Sequence, residues 1–212
     1  MKSTETQGFM MILSSPSGAG KTTLTRLLEK NFSNFTISIS HTTRKPRSNE
    51  IDGKDYFFVN ENEFQKLINE DFFLEFAKIF NNHYGTAKKN VLEKINKGLN
   101  VIFDIDWQGT RQVKEKIKDI KLITVFILPP DIQTLKQRLV NRDQSGKQVA
   151  EQRMKKFKEE LSHWSDYDYV VVNNDLNDCY NEILEIIQGE ESKTKYLFDK
   201  SKISKLVDQL SK

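Results

Sequence analysis

The chain has 212 residues, 37% of them hydrophobic and 30% charged, which fits one folded domain with a substantial core. With 33 basic residues against 30 acidic the net charge is +3, too even to argue for nucleic acid or a membrane surface as a partner, so any basic patch is local. The single cysteine, Cys179, excludes an intramolecular disulfide, and there is neither an apolar run near the length of a membrane span nor the apolar core of a secretion signal at the N-terminus, so a reducing, cytoplasmic setting is expected.

Residues 1–8 are polar. Phe9-Met10-Met11-Ile12-Leu13 is an apolar run that predicts a buried strand over 9–14. It leads into Ser15-Pro16-Ser17-Gly18-Ala19-Gly20-Lys21-Thr22, and a helix is expected from about 21 to 31 with Leu24, Leu27 and Leu28 on one face. Strand, glycine-rich loop and helix in this order wrap a polyphosphate, because loop N–H groups and the helix dipole point at the anion. In that arrangement Lys21 reaches the β- and γ-phosphates and the Thr22 hydroxyl holds Mg²⁺. The strict pattern has Gly where this chain has Ser15, and a positive φ there would strain a serine.

Phe35 to Ser40 alternates apolar and polar residues and predicts a strand. His41-Thr42-Thr43-Arg44-Lys45-Pro46-Arg47 has no periodicity and reads as a loop. Asp52-Gly53 is a turn, and Tyr56 to Val59 a short strand. Asn60 with Glu63 resembles a capping box ahead of a helix that buries Phe64, Leu67 and Ile68. Phe73 to Phe80 reads as a strand containing Glu75, and His83-Tyr84-Gly85-Thr86 as a turn before a helix over 87–97 closed by Gly98. Asn100 to Asp106 is a buried strand ending in Asp104 and Asp106, which pleat alternation puts on one side. A helix to about 118, an apolar strand over 122–128, Pro129-Pro130 and a helix capped by Asp131 follow. A polar stretch, 141–148, separates that helix from a second one carrying Met154, Phe157, Leu161 and Trp164. Tyr169 to Val172 is the last core strand, and a helix carrying Leu176, Tyr180, Ile183 and Ile187 is expected to end at Gly189. The charged tail, 190–212, has Ile203, Leu206, Val207 and Leu210 at helical spacing, a pattern open to docking on the body or on a second subunit of a homodimer. Strands alternating with helices predict an α/β fold with a parallel sheet, helices on both faces and a ligand at the carboxyl ends of the strands.

Several residues are candidates for chemistry. An acid at the end of the 101–105 strand, Asp104 or Asp106, suits Mg²⁺ or its waters, while capping of the following helix is the competing explanation. Arg44 and Arg47 in a polar loop suit a phosphate monoester, with the Tyr56 and Tyr84 hydroxyls nearby if the insertion folds back. Glu75 interrupts an aromatic run and calls for a partner. Arg138 and Arg142 share a helix face, and with Arg153 flank the polar stretch, where arginines suit a transferring phosphoryl group. His41, His83 and His163 lack metal-ligand spacing, and Cys179 reads as a small core residue.

These motifs together resemble the guanylate kinase family, bacterial type, over residues 8–188. The stretches that carry the likeness are Ser14 to Thr22, Ser40 to Arg47, Glu50 with Gly53 to Tyr56, Phe73 to Ala77, His83 to Thr86, Asp104 to Gly109, Pro129-Pro130 and Val172 to Asp175. The resemblance implies a P-loop core with a five-stranded parallel sheet over 8–39, 87–130 and 154–188. To this core it adds a small mixed α/β GMP-binding lobe over 40–86 and a helical lid over 131–153, leaving a tail over 189–212. It implies that ATP contacts Ser15, Pro16, Ser17, Gly18, Ala19, Gly20, Lys21, Thr22 and Thr23, with Asn173 near the adenine. It assigns the GMP phosphate to Arg44, Arg47, Tyr56 and Tyr84, with Glu50 in the same site, and the guanine to Ser40, Glu75, Thr86 and Asp106. Thr22 and Asp104, the latter through water, would serve Mg²⁺, and Lys21, Arg44, Arg138, Arg142 and Arg153 the transferring group. The implied partners are ATP and GMP, with no nucleic acid and no membrane. The chain departs from the family pattern at Ser15 and in the lid sequence Arg142-Asp143-Gln144-Ser145-Gly146-Lys147-Gln148. A ribosyl bisphosphate kinase on the same scaffold and a non-catalytic binding module are the alternatives. Glu75 with Ser40 and Thr86 favours a purine over the first, and the retained Lys21, Thr22, Asp104 and lid arginines disfavour the second.

Overall fold

The computed structural model describes residues 7–142, 156–194 and 196–211, with the backbone alone at 140–142. In chain order, strand β1 (Met10–Ser14) is buried throughout, as its apolar run requires, and the loop after it opens helix α1 (Lys21–Asn31). Strand β2 (Phe35–Ile37) is shorter than its alternation predicts. Residues expected to be loop at His41 instead form strand β3 (His41–Thr42), beside strand β4 (Phe57–Phe58). Helix α2 (Glu61–Asn69) starts at Asn60, whose side chain accepts from the Glu63 N–H as an N-cap should, and it buries Phe64.

Strand β5 (Phe73–Ile79) and strand β6 (Asn82–Ala87) form an antiparallel hairpin. This corrects the expected turn at 83–86. His83, Tyr84, Gly85 and Thr86 are strand residues paired with Lys78, Ala77, Phe76 and Glu75, and the chain reverses at Phe80, which takes a φ of 54°. Cross-strand pairing with an aromatic partner strand overrode the local turn signal of Gly85. Helix α3 (Lys88–Asn96) follows, and Gly98, at a φ of 78°, ends that segment.

Strand β7 (Asn100–Asp104) stops two residues before Asp106, so the two acids are not both strand residues. Asp106 is the N-cap of helix α4 (Trp107–Lys116). Strand β8 (Leu122–Leu128), helix α5 (Ile132–Arg142), helix α6 over the described residues 156–162, a 3-10 turn at Trp164–Asp166, and strand β9 (Tyr169–Val172) continue the chain. Helix α7 (Leu176–Ser192) runs past Gly189 and is closed by Lys193 in the left-handed region. Gly189 has a different role: a Cβ there would lie 2.5 Å from the Thr194 carbonyl oxygen, where the chain folds back on the helix. Helix α8 (Lys200–Leu210) buries Ile203 and Leu210 within the single chain.

The parallel sheet has the order β2-β7-β1-β8-β9, and a separate four-stranded sheet has the order β4-β3-β6-β5. By contacts the chain forms two compact units. One comprises Met1–Ile12 and Leu28–Ile123, and contains the four-stranded sheet, α2, α3, β7 and α4. The other comprises Leu13–Leu27 and Thr124–Lys212, and contains the glycine-rich loop, α5, β9, α7 and α8. No helix among the described residues is long and apolar enough to cross a membrane.

Candidate active site

In the unit that holds the glycine-rich loop, the loop takes its shape from two glycines, Gly18 at a φ of 92° and Gly20 at 103°. Ser15 is not among the described non-glycine residues with positive φ, so it replaces the usual first glycine without the strain that such a conformation would impose. Ser15 and Pro16 are buried, and the Ser15 hydroxyl donates to the Pro16 carbonyl at 2.9 Å. Lys21 and Thr22 open α1 half-buried, and Thr23 is exposed. The loop is braced from below by Asn173, 3% exposed, whose Nδ2 donates to the Ala19 carbonyl at 2.7 Å. This contact uses one Nδ2 hydrogen of the residue expected near an adenine. Both terminal nitrogens of Arg138 donate to the Asn173 carbonyl at 3.2 Å, so α5 is tied to the same support. Arg153 and the lid sequence 143–153 lie outside the described residues, as does the Arg142 side chain.

The other unit gathers the residues expected to hold an acceptor. Arg44 makes a two-pronged pair with Glu50, Nη1 to Oε2 at 2.9 Å and Nη2 to Oε1 at 2.8 Å. The Arg47 N–H donates to Glu50 Oε2 at 2.8 Å. Burial alone would lower the Arg44 guanidinium, but its hydrogen bonds to Glu50 outweigh this and raise it, so the charge is permanent. Burial works to raise Glu50, and the Arg44 and Arg47 donors bring it below the usual carboxylate range. Glu50 thus holds Arg44 in place. Thr42 supports the same arginine, accepting from the Arg44 N–H at 3.2 Å while donating to the His83 carbonyl at 2.9 Å. The Arg44 guanidinium lies 5.2 Å from the Tyr56 ring centre, and the Tyr56 and Tyr84 rings are 6.1 Å apart. Burial, with the Asp104 carboxylate, pushes the Tyr56 phenol up to about 12, so it remains a donor. The side chain of Arg47 is 44% exposed, with Nη1 lying 3.6 Å from Glu50 Oε1.

Glu75 is 2% exposed. Its cross-strand neighbour is Thr86, whose hydroxyl is 3.4 Å from that of Ser40. Burial pushes the Glu75 carboxyl up to about 7; its hydrogen bond with Thr86 opposes the rise and the Asp106 charge adds to it. Asp106 itself accepts from the Gln108 N–H at 3.0 Å, the Gly109 N–H at 3.3 Å and the Gln108 side chain at 3.1 Å. Asp106 therefore caps the helix, as the competing explanation of this residue expects. Asp104 stands half-buried at the end of β7.

Thr22 in one unit and Asp104 in the other each carry an oxygen donor of the kind that suits Mg²⁺, which keeps several waters and takes other ligands from phosphates. Among the described residues no group of three His, Cys, Asp or Glu could hold a metal by itself. The family model for guanylate kinase matches residues 7–190. The chain belongs to the guanylate kinase family.

Similar proteins agree with that placement. A guanylate kinase of Rickettsia bellii is 46% identical over 190 residues, covering 90% of this chain and 98% of the relative. One of Nitrobacter winogradskyi is 45% identical over 189 residues, covering 89% and 86%. The crystal structure of guanylate kinase from Anaplasma phagocytophilum superposes with a TM-score of 0.72 at 35% identity, covering 89% of this chain and 88% of that one.

Within this family fold, sequence reasoning missed Glu160. Its carboxylate accepts from the Ser17 N–H of the loop at 3.1 Å, although α6 was read only for its apolar face. Its signal was faint: an acid next to Leu161 in an amphipathic helix, and burial alone reveals it. Gly20, expected to contact ATP, also meets a structural requirement. A Cβ there would sit 2.2 Å from Asn173 Nδ2, at a φ that side chains avoid. Gly20→Ala is expected to cost about 1–3 kcal/mol, as a non-glycine residue forced into such a conformation does. A thermal melt should show it as a fall of several degrees, and an unchanged melting temperature would mean that the Asn173 brace is not rigid.

Proposed function

We infer that this chain is a guanylate kinase that transfers the γ-phosphoryl group of ATP to GMP, and by the same contacts to dGMP, giving ADP and GDP. The observation that carries the reading is the buried Glu75 carboxylate, set beside the Thr86 and Ser40 hydroxyls in the unit that also holds the Arg44–Glu50 pair. Guanine presents N1–H and an N2 amino group side by side, and one carboxylate accepts both. Ser40 and Thr86 suit O6. Arg47, Tyr56, Tyr84 and the pre-set Arg44 suit the acceptor phosphate.

The chemistry needs little from a base. A GMP phosphate oxygen attacks the γ-phosphorus, the bond from that phosphorus to the bridging oxygen breaks, and the electron pair leaves with ADP. The attacking oxygen is already anionic near neutrality, so the protein's work is to position two anions, neutralise their repulsion and exclude water. The loop N–H groups and Lys21 hold the β- and γ-phosphates, and Arg138, Arg142 and Arg153 are proposed to take up charge on the transferring group. Mg²⁺ would be held by Thr22 and, through water, by Asp104, and supplies charge neutralisation at the phosphates when bound. We propose the parts as a core over 8–39, 87–130 and 154–188, a GMP-binding lobe over 40–86, a lid over 131–153 and a tail over 189–212. The setting we propose is purine nucleotide metabolism in the cytoplasm.

A coupled assay for ADP, with ATP, Mg²⁺ and GMP, AMP, CMP or UMP in turn, tests this. Turnover is expected with GMP alone at low substrate, and equal turnover with AMP or a ribosyl bisphosphate would overturn it.

Glu75 also gives the reaction a pH dependence. Only the ionised carboxylate accepts both guanine donors, and its pKa in the free protein stands at about 7. The kcat/KM for GMP is therefore expected to fall as pH drops through 7, and Glu75→Gln should abolish that limb. The comparison with the variant is needed because the GMP phosphate titrates nearby, at a pKa of about 6. A limb that survives the substitution belongs to another group.

A further inference from the structure

The four-stranded sheet ends on β5, so among the described residues one edge of this strand has no strand partner. Helix α4 fills that edge with side chains, and it does so around one residue. Gln112 accepts from the Phe76 N–H at 3.1 Å and donates to the Phe76 carbonyl at 2.6 Å, as a neighbouring strand would. One turn further on, Lys116 donates to the Leu74 carbonyl at 2.7 Å. The Leu74 carbonyl and the Phe76 N–H belong to the two peptide groups that flank Glu75. The strand register is irregular between Phe73 and Glu75, where a ladder of backbone bonds alone defines position least. One turn earlier on the same helix, Gly109 leaves room for the carboxylate. A Cβ there would lie 2.3 Å from Glu75 Oε2.

We propose that Gln112 and Lys116 are positioning residues for base recognition, clamping the backbone on both sides of Glu75 so that its carboxylate lies on Gly109 in a fixed orientation. The proposal rests on the reading of Glu75 as the guanine-reading residue. It assigns to α4 a column, Gly109, Gln112 and Lys116, spaced three and four residues apart on one helix face. The column sets the specificity of a residue on another element without touching the substrate. Lys116 has a second effect, since its charge favours the ionised Glu75 against the burial and the Asp106 charge that oppose it.

The test uses Gln112→Met, which keeps length and removes both hydrogen bonds, and the pair Lys116→Met and Lys116→Arg. Inosine monophosphate lacks the N2 amino group, so the ratio of kcat/KM for GMP over inosine monophosphate reads the seating of the Glu75 carboxylate. For Gln112→Met the KM for GMP is expected to rise roughly tenfold, the scale of a lost buried hydrogen bond, with the base ratio falling and the KM for ATP unchanged. Lys116→Met should do the same and move the acid limb of the GMP profile to higher pH, whereas Lys116→Arg restores both. A merely structural role would lower thermal stability and kcat for every substrate and leave the base ratio and the pH limb where they were. That result, in either position, overturns the proposal. Should Gln112→Met not fold, the Lys116 pair decides on the same readouts. If wild type does not phosphorylate GMP, the functional reading itself fails. If Glu75→Gln loses the base preference while Gln112→Met and Lys116→Met keep it, only the clamp fails.

Discussion

Replacing Lys21 by alanine is expected to lower kcat roughly 10²–10³-fold, the loss seen when one preorganised group facing developing charge is removed. Lys21 opens α1 directly after the loop whose shape Gly18 and Gly20 fix, so its ammonium group is delivered to the place where the helix dipole already favours an anion. In the proposed reaction it brings to the phosphates a full charge that no backbone N–H can replace. The loop itself should survive the change, because its supports are elsewhere: Asn173 on the Ala19 carbonyl, and Glu160 on the Ser17 N–H. The melting temperature should therefore move little, and saturating ATP should not restore the rate. Steady-state kinetics at saturating ATP and GMP measure this, and near-wild-type kcat would remove the phosphate-binding assignment of the loop.

Glu75→Gln should lower kcat/KM for GMP at least tens-fold, on the scale of a lost charged hydrogen bond of about 1.5–3 kcal/mol, and should narrow the preference over AMP. Glutamine keeps the shape but turns one acceptor oxygen into a donor that meets a guanine donor. AMP has neither N1–H nor an N2 amino group, and a site built on such groups rejects an analogue that lacks them by roughly 10⁴–10⁵. Stability separates this effect from misfolding. The folded-state pKa of Glu75, about 7, lies above its ordinary 4.5, so ionising the buried carboxylate costs stability. That cost grows as pH rises from 4.5 through 7 and is fully present above 7. A neutral glutamine escapes it, so at pH 8 the variant is expected to be at least as heat-stable as wild type while reading guanine poorly. A variant that keeps wild-type kcat/KM for GMP and still excludes AMP would show that another group reads the base.

How much of this was legible in the sequence differs by element. The Met10–Ser14 strand, the Lys21–Asn31 helix and the Leu122–Leu128 strand have bounds close to those expected, because each is a continuous apolar run or a clean helical stripe. The Asn82–Ala87 strand was not legible. His-Tyr-Gly-Thr has no alternation and contains a glycine, and it is a strand only because Phe73–Ile79 pairs with it. Asp104 and Asp106 were readable as a pair of acids ending an apolar run. That the second of them caps a helix depended on where the strand stopped, which composition does not set.

The sequence by itself determined the chemistry available to this protein. A strand, glycine-rich loop and Lys-Thr pair, arginines in a polar loop and a glutamate among aromatics are local patterns. Each owes its meaning to bond geometry within a few residues. Folding adds structural roles to several of these groups. Asn173 became the brace of the phosphate loop because its amide met the Ala19 carbonyl, 154 residues away, whereas the Arg44–Glu50 pair and the Asp106 cap join residues six or fewer apart. Gln112 and Lys116 lie more than thirty-five residues from the backbone they hold, on a face of α4 that reads as ordinary solvated surface. Only the packing of that helix on the unpaired edge of β5 places their donors where Glu75 needs a fixed backbone, since buried peptide groups without a strand partner must find one elsewhere.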